Sequence, residues 1–501
     1  MKAILLRNSG KCAYACNRKE KVRKRYRSVL RSLVRLRSYL ARHLTLTARF
    51  VLLSFTIGIV AGLAAFLLKY LVKHLSSALL STITLPGANW LLLLYPAAGI
   101  LFTYMICRFL MRRNLENGTQ RIKLALSARH YYMAPPLCFE SILASTVTLG
   151  FGGSAGAEAP IAYSGAAIGS NIGRIFGLTP THMKAAMSIG AGAGIAAIFI
   201  SPIGGALFSL EVLQVQLSSL GVLSLVLACI VAAMTCYWGT GFNFDVDFTA
   251  SNAFDPTHIG WVILLGVCCG IYSIYYSALK NYGDQLLKRI RSGWIKAATS
   301  GIFLSLVIFL LPSLYGDGYG VLANAINDQP VTTLIHSPLH TLAESHTWLP
   351  IAAIGIILLL KGIMVSATVS GGGVAGEFAP TLFAGALAGY LFAYIVNTFF
   401  GGDLPVQNFA LIGMAAVMAG VIHAPLMAMF ITVEMSCGYV YMLGVFLAAF
   451  ISYIIVKLVT PNSVWRSAVH DDVAAMKKYR SSDISTDTDA DTVTGIRHKK
   501  Q

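Results

Sequence analysis

Apolar runs long enough to cross a bilayer recur from one end of this chain to the other, and they restrict the fold more than any other feature. The clearest occupy 50–68, 89–107, 218–238, 258–279, 298–313, 348–369 and 440–459. A helix rising 1.5 Å per residue needs roughly 20 residues to span the hydrocarbon core. Other apolar runs are shorter or interrupted by Gly and Pro. Of the 501 residues, 56% are hydrophobic and only 12% charged, about half the charge content of a soluble domain. Inside a bilayer no water pairs with backbone N–H and C=O groups, so the spans must be helices or parts of helices. The sequence predicts an all-α polytopic membrane protein.

The net charge of +18 points to the membrane surface and to no nucleic acid. Residues 1–50 carry fifteen Lys and Arg against the single acid Glu20. That block directly precedes the first span, where positive residues mark the cytoplasmic side, and its run at 18–27 suits anionic lipid headgroups. It lacks the layout of a cleavable signal peptide. The nine cysteines have neither metal-ligand spacing nor a disulfide pattern, and most lie in apolar segments where a thiol serves as a small hydrophobe. No metal or cofactor is expected.

A duplicated phrase organises the rest. Displaced by 220 positions, GGSAGAEAPIAYSGAAIG (152–169) falls on GGVAGEFAPTLFAGALAG (372–389), matching at Gly152, Gly153, Ala155, Gly156, Ala159, Pro160, Gly165, Ala166 and Gly169. A second echo at 223 sets Gly190, Pro202 and Glu211 on Gly413, Pro425 and Glu434. Two echoes at nearly one offset indicate an internal duplication. The expected layout is a basic cytoplasmic segment at 1–47, a membrane repeat at 48–240, an extracytoplasmic linker at 241–256, a second repeat at 257–470 and a polar cytoplasmic tail at 471–501.

Loop charge orients the copies. The first span leaves the basic N-terminus, and the second runs into the basic stretch 108–123. Span 258–279 is instead preceded by 241–256, which has no Lys or Arg, and followed by the basic stretch 280–296. By the positive-inside rule the halves are inverted relative to one another, as in many transporters. Lys69 and Lys73, at the outer end of the first span, run against the rule.

Inversion makes the glycine phrases interpretable. Pro160 and Pro380 suit the first turn of a helix, and small residues after them allow close helix packing. Irregular backbone at membrane depth is tolerated only where protein or a water cavity covers it. A helix starting there aims unpaired N–H groups and a partial positive charge inward. Two inverted copies aim two such ends at one point, and an anion fits between them.

These residues resemble the CLC family of chloride channels and chloride/proton exchangers across 48–470. GAEAP (156–160) is similar to the family's Gly-[Lys/Arg]-Glu-x-Pro motif, with Ala157 in place of the base, and GEFAP (376–380) to its Gly-x-Phe-x-Pro motif. ALFSLEVL (206–213) and the tyrosine after VEMSCG (433–438) fall in family order. The resemblance implies the CLC fold, two inverted repeats of broken and tilted helices, in a homodimeric multi-pass protein of the plasma or inner membrane with cytoplasmic termini. It implies Glu158 as the gating glutamate, with Gly156, Ala157, Ala159, Glu377, Phe378, Ala379, Tyr439, Asn117 and Gly118 around the anion. The cargo implied is chloride and other small anions, with protons an open second partner. Relatives often append nucleotide-binding CBS domains, for which the tail leaves no room.

Three departures from the family pattern bear on mechanism. A Gly-Ser-Gly-x-Pro loop should precede the gate by about forty residues, but the place reads NGTQRI (117–122), with Asn117 and Thr119 as the nearest substitutes. Val212 stands where exchangers usually carry a second, proton-relaying glutamate after Glu211. Glu377 replaces an apolar residue beside Phe378, which makes it a candidate for an alternative proton route shared with Glu158. The valine favours passive, channel-like conduction, with proton-coupled antiport as the alternative. A secondary transporter for another small solute is the more distant reading. An enzyme is not expected, since no nucleophile–base pair, phosphate loop or metal set is present. The matched pair Glu211 and Glu434 suggests a shared structural role at helix ends.

Overall fold

The computed structural model describes residues 45–81, 89–112, 115, 118–127, 131–241, 255–318, 334, 337–340, 345, 348–436 and 438–460. Its helices in the first half are α1 (Leu46–Leu80), α2 (Tyr95–Met105), α3 (Gly118–Ser127), α4 (Leu137–Gly150), α5 (Glu158–Ile175), α6 (Pro180–Phe199), α7 (Pro202–Leu207) and α8 (Ser219–Gly239). The second half holds α9 (Ile259–Lys288), α10 (Gly293–Leu310), α11 (Trp348–Val369), α12 (Phe378–Phe400), α13 (Val406–Ile422), α14 (Pro425–Met435) and α15 (Met442–Val459). Nine helical segments among the described residues are long and apolar enough to cross a membrane. Two of these, α6 and α12, are absent from the clearest apolar runs of the sequence. Their Gly and Ala content lowers hydropathy, and both are largely buried in protein, so neither needs a lipid-facing surface. The expected segmental basic stretch 280–296 is also redrawn, because α9 continues to Lys288 and carries Lys280 and Asp284 with it.

The duplication visible in the sequence is a duplication of packing. Helix α5 crosses α6 where Gly165 meets Gly190, and α12 crosses α13 where Gly385 meets Gly413. At each crossing a Cβ on either glycine would overlap the facing carbonyl, so the two backbones touch as only small residues permit. Both α6 and α13 then end on a left-handed, non-glycine residue, Ile200 (φ 55°) and His423 (φ 62°). Proline opens the short helix that follows in each case, Pro202 on α7 and Pro425 on α14.

Two acids lock the halves together at these short helices. Glu434 at the end of α14 accepts hydrogen bonds from Ser201 Oγ at 2.5 Å, Gly204 N at 3.0 Å and Ile203 N at 3.0 Å, which caps α7. Glu211, beyond α7, accepts from Met427 N at 2.8 Å and Leu426 N at 3.4 Å, which caps α14. Each repeat thus supplies the carboxylate that satisfies the other's orphan N–H groups. Threonines make a second reciprocal tie. Thr368 Oγ1 accepts from Ser154 N at 3.1 Å, and Thr148 Oγ1 from Val374 N at 3.0 Å. The all-α fold of two inverted, broken-helix repeats is therefore observed directly, and its exchanged bonds fix the loops before α5 and α12.

Candidate functional site: two helix starts and a carboxylate

Those loops meet edge to edge. Gly156 donates its N–H to the Gly376 carbonyl at 3.0 Å, and Gly376 returns the bond to the Gly156 carbonyl at 2.6 Å. The pair forms a two-residue antiparallel bridge. One residue beyond each glycine stands an N-cap, Ala157 for α5 and Glu377 for α12. Neither N-cap side chain bonds to its own helix. The first-turn N–H groups of both helices therefore have no capping side chain of their own.

Glu158, the first residue of α5, is 1% exposed. Its Oε1 accepts the N–H of Ala379 in the first turn of α12 at 3.0 Å. Its Oε2 is buried with no hydrogen-bond partner. A Cβ on Gly156 would overlap this carboxylate, and one on Gly376 would lie 2.9 Å from Oε2, so both glycines are needed to admit it. The arrangement places a carboxylate where the helix start presents its partial positive charge, the position an inorganic anion would take.

Most of the residues singled out in the sequence converge here. Gly156, Ala157, Glu158, Ala159, Glu377, Phe378 and Ala379 form the two facing turns. Phe378 is fully buried and its ring meets that of Phe208 edge to face, with centroids 5.7 Å apart. Gly118, at the start of α3, packs onto the rim, where a Cβ would lie 2.6 Å from the Ala159 carbonyl oxygen. Next to it Thr119 is buried with a hydroxyl that has no partner. Asn117 lies outside the described residues. Tyr439 is 52% exposed at the α14–α15 junction and does not belong to this buried cluster, whereas Tyr441, two residues on, is buried. Val212 is buried among apolar side chains.

Three further groups had no role assigned from the sequence, where Lys361 stood out only as a lysine in apolar surroundings. Lys361 of α11 is 0% exposed. Its Nζ donates to Ser154 Oγ at 2.9 Å, in the loop leading to Glu158, and lies 4.7 Å from the Phe383 ring centroid. Asp317, after α10, is within electrostatic reach of both Lys361 and Glu158. Lys280 of α9 approaches Glu377 with Nζ 2.6 Å from Oε1. The acid beside Phe378 is therefore neither solvated nor facing the anion position with an uncompensated charge. A lysine in a basic run ordinarily signals a solvated loop, so no sequence signal pointed to this pairing.

The family model for voltage gated chloride channels matches residues 98–457. A ClcB-like chloride channel protein of Ralstonia nicotianae is 26% identical over 395 residues, covering 76% of this chain and 86% of the relative. The voltage-gated ClC-type chloride channel ClcB of Salmonella typhi is 26% identical over 332 residues, covering 65% and 74%. Among solved structures, a slow cyanobacterial Cl−/H+ antiporter superposes with TM-score 0.72 at 20% identity, covering 86% of this chain and 99% of that one. A CLC-type fluoride/proton antiporter gives TM-score 0.66 at 23% identity, covering 83% and 96%.

Proposed function

The chain belongs to the voltage-gated chloride channel family, and from that premise we propose that it moves chloride across a membrane in exchange for protons, with Glu158 as the gate. The observation that carries this reading is the hydrogen bond from Ala379 N to Glu158 Oε1 at 3.0 Å. A deprotonated Glu158 fills the anion position at the start of α12. Protonation neutralises it, weakens its hold on the helix N-terminus and frees the site for chloride. One group then binds either a proton or, by leaving, an anion, which is the linkage an exchanger requires.

The sequence favoured passive conduction because Val212 cannot carry a proton. The two superposed antiporters support the exchange reading instead, since both are described as coupling a halide to protons on this fold. Passive conduction stays as the second reading, carried by the buried apolar Val212. The loop at 117–122, with no serine, makes fluoride a cargo to compare with chloride. A homodimer and cytoplasmic termini belong to the same proposal, the first supported by the family resemblance and the second by the loop charges.

Paired flux measurements in liposomes decide between the readings. Under an outward chloride gradient, exchange predicts uphill proton uptake that Glu158→Ala abolishes while chloride still flows. Chloride movement with no proton movement in the native protein would establish passive conduction. No anion movement in folded protein would overturn both.

A further inference from the structure

Resting on the exchange reading, we propose that Glu377, held by Lys280, carries the proton between the solvent-facing end of α9 and the gate Glu158, in the role that Val212 cannot fill.

The groups form a graded series. Asp284 is 19% exposed, whereas the Glu377 and Lys280 side chains are 6% and 4% exposed. Lys280 Nζ sits between the two acids, 3.2 Å from Asp284 Oδ2 and 2.6 Å from Glu377 Oε1. Asp284 Oδ1 is anchored by the hydroxyls of Ser366 and Ser370, each at 2.7 Å. Loop charge places this end of α9 on the cytoplasmic side. The inner end of the series is the bridge itself, because Glu377 directly follows Gly376 and caps the helix whose Ala379 N–H holds Glu158.

Two buried polar atoms coupled to these acids have no hydrogen-bond partner among the described residues. Tyr276, one turn before Lys280 on α9, is fully buried, and its hydroxyl has no hydrogen-bond partner. It is within electrostatic reach of Glu377, Asp284 and Glu158. The Glu158 Oε2 is equally unpartnered. Buried polar atoms are nearly always paired, so an orphan donor and an orphan acceptor within electrostatic reach of each other and of Glu377 point to a transfer path between them.

A purely structural role fits less well. Apolar residues of similar volume often match or exceed a buried ion pair in stability. The pseudo-symmetric position in the first repeat is Ala157, so this turn forms without an acid. Charge also argues for a switching group. Two carboxylates share one ammonium, and a single proton brings the cluster to neutrality.

The transfer balances. A proton taken up on Asp284 is relayed by Lys280: one Nζ–H bond breaks as the O–H bond forms on Glu377, and the Asp284 O–H bond breaks as its proton restores the ammonium. Glu377 then passes that proton to the Tyr276 oxygen, directly or through water, as Tyr276 releases its own to Glu158 Oε2. Glu377 returns to the carboxylate and Tyr276 to the phenol. Glu158, now a neutral acid, releases the Ala379 N–H to the incoming anion.

The test is the ratio of protons to chloride moved by Glu377→Gln in liposomes, a change that keeps a hydrogen-bonding partner for Lys280. The ratio is expected to fall at least tenfold while chloride movement persists, and an unchanged ratio overturns the proposal. If Glu377→Gln moves no chloride, the double variant Glu377→Met with Lys280→Met removes the pair as a unit. Chloride movement without protons in the double variant supports the proposal. Coupled movement, or none, overturns it and assigns the pair to the anion path or the fold. A native protein that moves chloride without protons defeats the exchange reading itself, before any variant is compared.

Discussion

The Glu158 carboxylate of the first repeat accepts the Ala379 N–H of the second at 3.0 Å, so the proposed gate is an acid from one copy seated on the helix start of the other. Protonation should release it, which fixes the direction of the pH response. Anion flux through the native protein rises as pH falls. In Glu158→Gln the side chain is neutral at every pH, so flux should be high and flat from acid to neutral conditions. Chloride efflux measured across that range checks this, and a variant that keeps the native pH slope places the titrating group elsewhere.

Lys361 places a buried amine on the loop before Glu158 through its hydrogen bond to Ser154. Asp317 is within its electrostatic reach and no carboxylate is in direct contact with it among the described residues, so in its protonated form Lys361 raises the local potential felt by an entering anion. Lys361→Met keeps most of the stem's packing and removes the charge. Chloride affinity in transport should weaken about tenfold, equivalent to about 1.4 kcal/mol, with the proton-to-chloride ratio unchanged. Concentration dependence of flux reads both quantities.

The crossing of α12 on α13 leaves no room at Gly385, where a Cβ would lie 2.8 Å from Met414 Cα. Gly385→Ala should destabilise the protein by about 1–3 kcal/mol through overpacking. Gly355, in mid-α11, has no atom within 4 Å of such a Cβ, so Gly355→Ala should be neutral or stabilise by up to about 1 kcal/mol. Thermal unfolding in detergent compares the two, and equal effects would contradict the packing account.

Much of the fold was legible because the duplication preserved the residues that membrane physics constrains most tightly. Glycines at the bridge and crossings and prolines at helix starts marked the two copies, and Glu158 stood out as an acid among them. The pairing of Glu211 with Glu434 was visible as symmetry, and the structure resolves it into reciprocal helix caps. The polar surroundings were not legible. Lys280 lies far from Glu377 in sequence and within a stretch whose charge count suggested a loop. Tyr276 is one aromatic in an apolar helix, and only its buried, unpartnered hydroxyl distinguishes it. Lys361 needed Ser154 and Phe383, from two other segments, before its burial made sense.

On the exchange reading, the Glu158 carboxylate occupies a position that an anion takes when it leaves. Diffraction from Glu158→Ala crystals grown in bromide, recorded at the bromine absorption edge, tests this most directly. An anomalous peak is expected within hydrogen-bond reach of Ala379 N, where Glu158 Oε1 lies in the native protein. Bromide bound elsewhere in the protein, with the start of α12 empty, would contradict it.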